Sequence, residues 1–100
     1  MILMSRKTGK ESRFQTKVIN YLESRGACVY PQHISSFSNA GTPDVIACYK
    51  GRFIAVETKV KGGKPSPLQV YEIKKIIKAQ GYAIVAYSLD EIKEVLDEIS

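Results

Sequence analysis

The sequence predicts an α/β fold, ordered αβββαβα, in which helices flank a four-stranded mixed sheet. Two observations support this prediction. Two apolar, partly β-branched runs meet at Lys50-Gly51, as the strands of a hairpin do, and capping-box signals precede apolar repeats of helical period. One hundred residues suffice for one domain, so we expect residues 1–100 to form a single domain, with residues 1–9 as a flexible basic segment.

The first half of the chain predicts a helix, a strand and a long loop. The helix is expected over residues 10–25, because Thr8 and Glu11 have capping-box spacing and apolar residues then recur at helical intervals. Residues 27–32 are rich in β-forming side chains and predict the first strand, whereas the polar residues 33–42 predict a loop. The apolar residues of the helix are Phe14, Val18, Tyr21 and Leu22.

The next two strands are predicted as a hairpin over residues 44–49 and Arg52–Thr58. Lys50-Gly51 would form its two-residue turn, with the glycine supplying a positive φ angle. Both runs are apolar at successive positions, which is typical of strands buried on both faces. We therefore expect the hairpin to lie in the middle of the sheet, with helices on both sides.

A linker over residues 61–67, rich in Gly, Pro and Lys, leads to the second helix, which is expected to end at Gly81. Ser66, Pro67 and Gln69 supply its N-cap, its first helical residue and its capping-box partner. A fourth strand and a third helix should follow. Their signals are a β-forming run at 82–87, a capping box at Ser88 and Glu91, and an apolar stripe of Leu89, Ile92, Val95, Leu96 and Ile99.

Positive charge is concentrated in the body of the chain. The formal net charge is +5, but residues 90–100 hold five acidic residues against one lysine, a net −4, so residues 1–89 carry +9. A basic body with a pI of about 9.3 suits a polyanion such as nucleic acid. Because no apolar run approaches the roughly 18 residues of a membrane span, and residues 1–4 are too short for a signal-peptide core, we expect a cytoplasmic protein without a membrane partner.

Several reactive residues are expected to be incidental. Cys28 and Cys48 lack the paired spacing of a zinc site, so we expect reduced core residues without a function. His33 has no partner at a spacing that would support catalysis. Ser35 and Ser36 are expected to be loop residues.

The hairpin brings together residues that could hold a metal ion. Tyr49 and Arg52 flank the turn, and extending their pairing along both strands places Asp44 opposite Glu57. Facing carboxylates repel one another, so a cation between them would relieve the repulsion, and their hard oxygens suit Mg²⁺. Lys59 lies two residues beyond Glu57 and therefore points to the same face. These residues predict a magnesium site at the end of the hairpin.

Each of these signals also has an ordinary structural interpretation. A Glu-x-Lys at a strand end, such as Glu57 and Lys59, is more often a surface ion pair. Glu11 and Gln69 share the buried stripes of their helices and would point inward, yet each is also the third helical residue of a capping box. One side chain could serve both purposes.

Three motifs taken together resemble the PD-(D/E)xK nuclease superfamily, and most closely its VRR-NUC family. They are Gly41-Thr42-Pro43-Asp44, Glu57-Thr58-Lys59 and the Ser-Pro-Leu-Gln start of the second helix. The resemblance runs from the first helix to the fourth strand and implies a restriction-endonuclease-like αβββαβ core. Ile73 stands where relatives with a Q-x-x-x-Y signature have an aromatic residue. This departure argues against the RecB-like branch.

The resemblance implies a metal-dependent endonuclease that hydrolyses phosphodiester bonds in DNA. Mg²⁺ is the implied cofactor, with Mn²⁺ able to substitute, and no small-molecule cofactor is expected. Lys59 would orient or deprotonate the attacking water. The residues that match the family's site are Asp44, Glu57, Lys59 and Gln69 as catalytic residues, and Glu11, Asp44, Glu57 and the backbone carbonyl of Thr58 as metal ligands.

The expected partner is branched DNA, such as a four-way Holliday junction. Stand-alone members of the family typically come from phages and bacteria and look like Holliday-junction resolvases in size. The resemblance implies a homodimer, which would also supply the two sites needed to cut opposite strands. Candidate phosphate contacts are Arg13, Lys17, Lys61 and Lys64, together with Arg6, Lys7, Lys10, Lys74, Lys75 and Lys78.

Other functions stay open at this point. A catalytically silent nucleic-acid-binding module of the same fold would keep the basic surface but would not need the acid, acid and lysine set. A structural adaptor could dimerise through the apolar stripe of the last helix, although the same stripe is needed to cover the sheet. A nicking or flap nuclease of phage replication and repair would not need a dimer.

Overall fold

The structure is a computed structural model and describes residues 9–32 and 41–99. Seven elements lie within these ranges, in the predicted order αβββαβα, so the α/β class with a four-stranded mixed sheet is confirmed. Among the described residues, no helix has the length and apolarity that crossing a bilayer would require. The elements are α1 (Gly9–Ser24), β1 (Cys28–Pro31), β2 (Val45–Tyr49), β3 (Arg52–Thr58), α2 (Pro67–Lys78), β4 (Tyr82–Ala86) and α3 (Leu89–Glu98).

Some sequence predictions fall outside the described residues. The expected N-cap of α1 is one, and so is most of the basic segment predicted over 1–9, of which Gly9 alone is described, as the first residue of α1. The same holds for most of the loop predicted over 33–42. Named residues that lie outside the described ranges are Arg6, Lys7, Thr8, His33, Ser35 and Ser36.

The β2–β3 hairpin occupies the centre of the sheet, as predicted. The strand order is β1-β2-β3-β4, with antiparallel pairing on both sides of β2 and parallel pairing between β3 and β4. Lys50 and Gly51 have φ angles of 51° and 79°, and two successive positive φ angles form the tight turn that matches strand twist. Tyr49 pairs with Arg52 across this turn, which sets the register of the whole ladder.

Helices cover the two faces of the sheet unequally. On one face, α1 and α3 pack over all the central strands and enclose the main core, which includes Val18, Leu22, Val45, Val56 and Leu96. On the other face, Ile73 of α2 packs against Ala55 and Ala83, in β3 and β4. A helix is about 10 Å wide and strands are about 4.8 Å apart, so one helix covers two strands.

The β1–β2 half of the α2 face is therefore exposed, which corrects part of the sequence prediction. Successive apolar residues in both strands of the hairpin indicated two covered faces, but Tyr30 of β1 is exposed on this face, and so is Phe53 near the start of β3. Cys28 and Cys48, expected in the core, are also exposed. The prediction was wrong there because α2 joins the parallel strands β3 and β4 and lies over that pair.

Candidate active site

Asp44 and Glu57 are buried acidic side chains at the open end of the β2–β3 hairpin. They are 7% and 1% exposed. Val45 pairs with Val56, so the next step along the ladder places Asp44 opposite Glu57, as the sequence predicted. A buried carboxylate is costly unless hydrogen bonds or charges compensate for its lost hydration. The groups that surround these two residues therefore define the chemistry of the site.

Asp44 is held by Thr58. The Thr58 N–H donates to Asp44 Oδ1 at 3.1 Å, and Thr58 Oγ1 donates to Asp44 Oδ2 at 2.8 Å. The ladder register places Pro43 opposite Thr58, and the carboxylate of Asp44 accepts the N–H that β2 would otherwise pair. Lys59 N–H points the other way, to Ala86 O at 3.0 Å, so the N–H and carbonyl of Thr58 both point towards the Asp44 side.

Glu57 lies between α2 and Lys59. Gln69 Nε2 donates to Glu57 Oε2 at 2.9 Å, and Lys59 Nζ lies 3.6 Å from the same oxygen. Glu57 thus has a neutral donor and a cation at one carboxylate oxygen. A Glu-x-Lys motif at a strand end usually forms a surface ion pair, but this pair is largely buried, because the side chains of Lys59 and Glu57 are only 14% and 2% exposed.

Gln69 also completes the capping box predicted from the sequence. Its Oε1 accepts from Ser66 N–H at 2.8 Å, and its own N–H donates to Ser66 Oγ at 3.1 Å. Capping and contact with Glu57 therefore coexist in one side chain. The start of α2 and the position of the Glu57 carboxylate are mechanically linked.

Gly41 connects the Gly-Thr-Pro-Asp segment to the same helix start. Its φ is +86°, and a Cβ at this position would lie 2.6 Å from the backbone C and O of Leu68 and 3.0 Å from Gln69 N. Only glycine tolerates both this conformation and this approach. The segment that ends at Asp44 thus packs directly on the first turn of α2.

Glu11 approaches the site from α1. A Cβ built at Gly63 would lie 3.8 Å from Glu11 Oε2 and 3.7 Å from Lys59 Cδ, so these three residues meet in one place. Gly63 lies in the loop between β3 and α2, and Tyr87 holds this loop because its hydroxyl donates to Gly63 O at 2.8 Å. Tyr87 was not predicted from the sequence, because an aromatic residue at the end of a strand gives no signal of such a contact.

The donor set fits a hard divalent cation. Among residues 9–32 and 41–99, no three His, Cys, Asp or Glu residues are grouped closely enough to hold one ion. Two carboxylates, Asp44 and Glu57, and the carbonyl of Thr58 offer hard oxygens from two adjacent ladder positions. Mg²⁺ commonly binds through one or two carboxylates and keeps several waters, so the set suits it better than a metal that needs a full protein cage.

The candidate DNA contacts that the structure describes are exposed. Lys61 and Lys64 are exposed on either side of Gly63, in the loop next to Lys59 and Glu11. Arg13 and Lys17 are exposed one turn apart on α1. The lysines of α2 are also exposed, as predicted, and they are Lys74, Lys75 and Lys78. Their contact with DNA stays a prediction.

The chain is similar to one protein family and to solved structures. The sequence matches, over residues 4–92, the family described as archaeal Holliday junction resolvase (Hjc). A solved structure described as a VRR_NUC domain superposes with a TM-score of 0.74 at 24% identity, covering 93% of this chain and 100% of that chain. At this identity the superposition establishes a shared fold. No curated protein matches the sequence.

Proposed function

Because this chain belongs to the archaeal Holliday junction resolvase family, we propose that it is a Mg²⁺-dependent endonuclease that cuts branched DNA, such as four-way junctions. The family is one of nucleases that act on DNA junctions, and this chain shares its fold with a VRR_NUC domain. The resemblance seen in the sequence is therefore confirmed. A DNA substrate also agrees with the cytoplasmic location expected from the sequence.

The observation that supports the proposal most strongly is the environment of Glu57. A carboxylate 1% exposed, opposite a second buried acid and 3.6 Å from Lys59 Nζ, is an expensive arrangement for a strand end. A purely structural role would be served as well by apolar residues of similar size. A catalytic cation site would account for two buried acids beside a lysine.

Asp44, Glu57 and the Thr58 carbonyl would hold the cation, with Glu11 as an additional acid from α1. When bound, the cation supplies Lewis acidity towards the scissile phosphate and lowers the pKa of water. Thr58 has two tasks in this arrangement. Its N–H and hydroxyl fix the Asp44 carboxylate, and its carbonyl points to the same side.

Lys59 and Gln69 act on the groups around the phosphate. The ammonium of Lys59 would orient the attacking water and offset the charge that grows on the phosphate oxygens. Gln69 donates to Glu57 at 2.9 Å and so fixes the orientation of that carboxylate. An oriented carboxylate matters because reacting groups must be placed within fractions of an ångström.

The basic surface would position the duplex. Lys61 and Lys64 lie next to Lys59 and would contact phosphates near the scissile bond, whereas Arg13 and Lys17 would extend the contact along α1. Such contacts bind DNA without reading its sequence. We expect two chains to act together as a homodimer on a four-way junction, since each chain offers one site and two strands must be cut.

The test is cleavage of four-way, fork, flap and linear DNA with Mg²⁺, Mn²⁺ or EDTA. Metal-dependent cleavage of branched DNA supports the proposal, and cleavage of the four-way junction by paired nicks in opposite strands supports the resolvase form. No metal-dependent product on any substrate would favour a silent binding module. A chain that neither binds nor cuts DNA would favour the adaptor function.

Two variants sharpen this test. Lys59→Ala should reduce cleavage by at least about a hundredfold while leaving DNA affinity within a few-fold, because one charge among many is lost. Lys93→Ala is the matched control, since it removes an exposed lysine from α3 that pairs with Asp97 at 2.7 Å, away from the site. Light scattering with and without junction DNA gives the oligomeric state.

A further inference from the structure

Cys28 and Cys48 are directly opposed across the β1–β2 ladder. Both side chains are exposed, on the half of the sheet face that α2 leaves uncovered, and both are free cysteines. Opposed residues of an antiparallel ladder point to the same side of the sheet. The fold thus brings two thiols together that are separated by nineteen residues of sequence.

The ladder also fixes how far apart these two residues lie. Gln32 N–H donates to Asp44 O at 2.9 Å, and the register places Gln32 opposite Asp44, so this is a hydrogen-bonded pair. Hydrogen-bonded pairs recur at every second position of an antiparallel ladder. Cys28 lies four positions from Gln32, so Cys28 and Cys48 are a hydrogen-bonded pair as well. Their Cα atoms are then about 5.5 Å apart, within the roughly 4.4–6.8 Å that a disulfide spans.

A bridge at this position requires a small movement of β1. The Cβ atoms of opposed residues lie about 4.5–5.5 Å apart, whereas a disulfide needs about 3.5–4.5 Å. β1 is a four-residue edge strand that hydrogen-bonds to β2 on one side, so it can move by this amount. The resulting strain and exposure make a bridge that reducing thiols open again.

Tyr30 follows Cys28 on the same face, at the next position that points outward. The neighbouring Cys28 raises the pKa of Tyr30. Tyr30 is 62% exposed, so the two side chains lie at the surface of the open face. The Cys28 thiol thus lies where a dissolved reagent can reach it.

We propose that Cys28 and Cys48 form a modification site, a surface dithiol that small-molecule disulfides convert reversibly into an intrachain disulfide. One cysteine thiolate attacks a sulfur of the reagent, forms a mixed disulfide and releases one thiol. The second thiolate attacks the protein sulfur of that mixed disulfide and releases the second thiol. The protein loses two electrons and two protons, and the reagent gains both as two thiols.

The chain enclosed by this bridge, residues 28–48, contains the Gly-Thr-Pro-Asp segment that ends at Asp44. Oxidation would therefore tie both ends of the segment that enters the candidate active site. The proposed dithiol rests on the register of β1 and β2, so it does not depend on nuclease activity. Its failure and the failure of the proposed function are separate results.

The test treats the full chain with oxidised glutathione and follows it by mass spectrometry and thiol titration. We expect the mass to fall by about 2 Da with both thiols lost, a single chain on non-reducing denaturing electrophoresis, and full recovery with dithiothreitol. Cys28→Ser and Cys48→Ser should each stop at one glutathione adduct. Because both positions are exposed, neither serine should shift the urea midpoint much.

The rate of ring closure separates a site built by the fold from chance proximity. From the mixed disulfide, closure should be at least roughly tenfold faster in the folded chain than in urea, where the same thiols meet by loop closure. Equal rates, two stable glutathione adducts on the wild type, or disulfides between chains instead of within one would overturn the proposal. This comparison uses the wild type alone and does not depend on how a variant folds.

Discussion

Within residues 9–32 and 41–99, capping boxes begin α2 and α3, and the one that begins α2 contacts the candidate active site, which permits a matched pair of substitutions. Gln69→Ala removes the box of α2 together with the bond to Glu57. Glu91→Ala removes the box of α3, where Glu91 Oε1 accepts from Tyr87 N–H at 2.6 Å and from Ser88 N–H at 2.9 Å. Both variants weaken a helix start, but only Gln69→Ala frees the Glu57 carboxylate.

The expected losses follow from the bonds removed. Gln69→Ala loses a capping bond worth about 1 kcal/mol and a bond to the Glu57 carboxylate worth about 1.5–3 kcal/mol, so the free energy of unfolding should fall by about 2.5–4 kcal/mol. Glu91→Ala loses exposed capping bonds and should cost about 1–2 kcal/mol. A domain stable by about 5–15 kcal/mol stays folded in both cases.

Urea unfolding measures these losses, and single-turnover cleavage of a four-way junction with Mg²⁺ measures activity. Because Gln69 orients a proposed metal ligand, its loss should reduce the cleavage rate by about 10- to 100-fold. Glu91→Ala should cut at the wild-type rate. Equal cleavage by the two variants, or a loss of rate that simply tracks stability, would refute the positioning role of Gln69.

Three further substitutions each test one side-chain contact. Thr58→Val removes the hydroxyl bond to the buried aspartate and should lower the free energy of unfolding by about 1.5–3 kcal/mol in urea; no change would show that the bond is dispensable. Tyr87→Phe frees Gly63 and should weaken DNA affinity a few-fold in fluorescence anisotropy while leaving kcat unchanged, and an altered kcat would contradict this. The ammonium of Lys93 lowers the pKa of Asp97. The ion pair therefore stabilises the folded state above about pH 4, and this stabilisation is lost as pH falls through the lowered pKa. Asp97→Asn should therefore lower the urea midpoint at pH 7 but not at pH 2, and an equal loss at both would exclude the ion pair as the cause.

The parts of the fold that local chemistry determines were predictable from the sequence. Lys50-Gly51 specified the turn, and the turn specified the register that places Asp44 opposite Glu57. Ser66 and Ser88 marked the starts of two helices with capping boxes, and both are present. These signals involve residues close together in sequence, where backbone geometry leaves few alternatives.

Features that depend on where elements dock were not predictable. The exposure of Cys28 and Cys48 follows from α2 covering β3 and β4, and no pattern within β1 or β2 reports the width of a distant helix. The bonds from Thr58 to Asp44 and from Tyr87 to Gly63 join different elements in the same way. Periodicity shows which face of an element is apolar, and the tertiary fold decides what covers it.

Calorimetric titration of the chain with Mn²⁺ or Mg²⁺, alone and with uncleavable junction DNA, tests most directly whether Asp44 and Glu57 form a cation site. We expect saturable binding by the wild type and loss of most of it in Glu57→Gln, which keeps the size of the side chain but removes its charge. Unchanged binding by Glu57→Gln, or no binding by the wild type with or without DNA, would contradict the account.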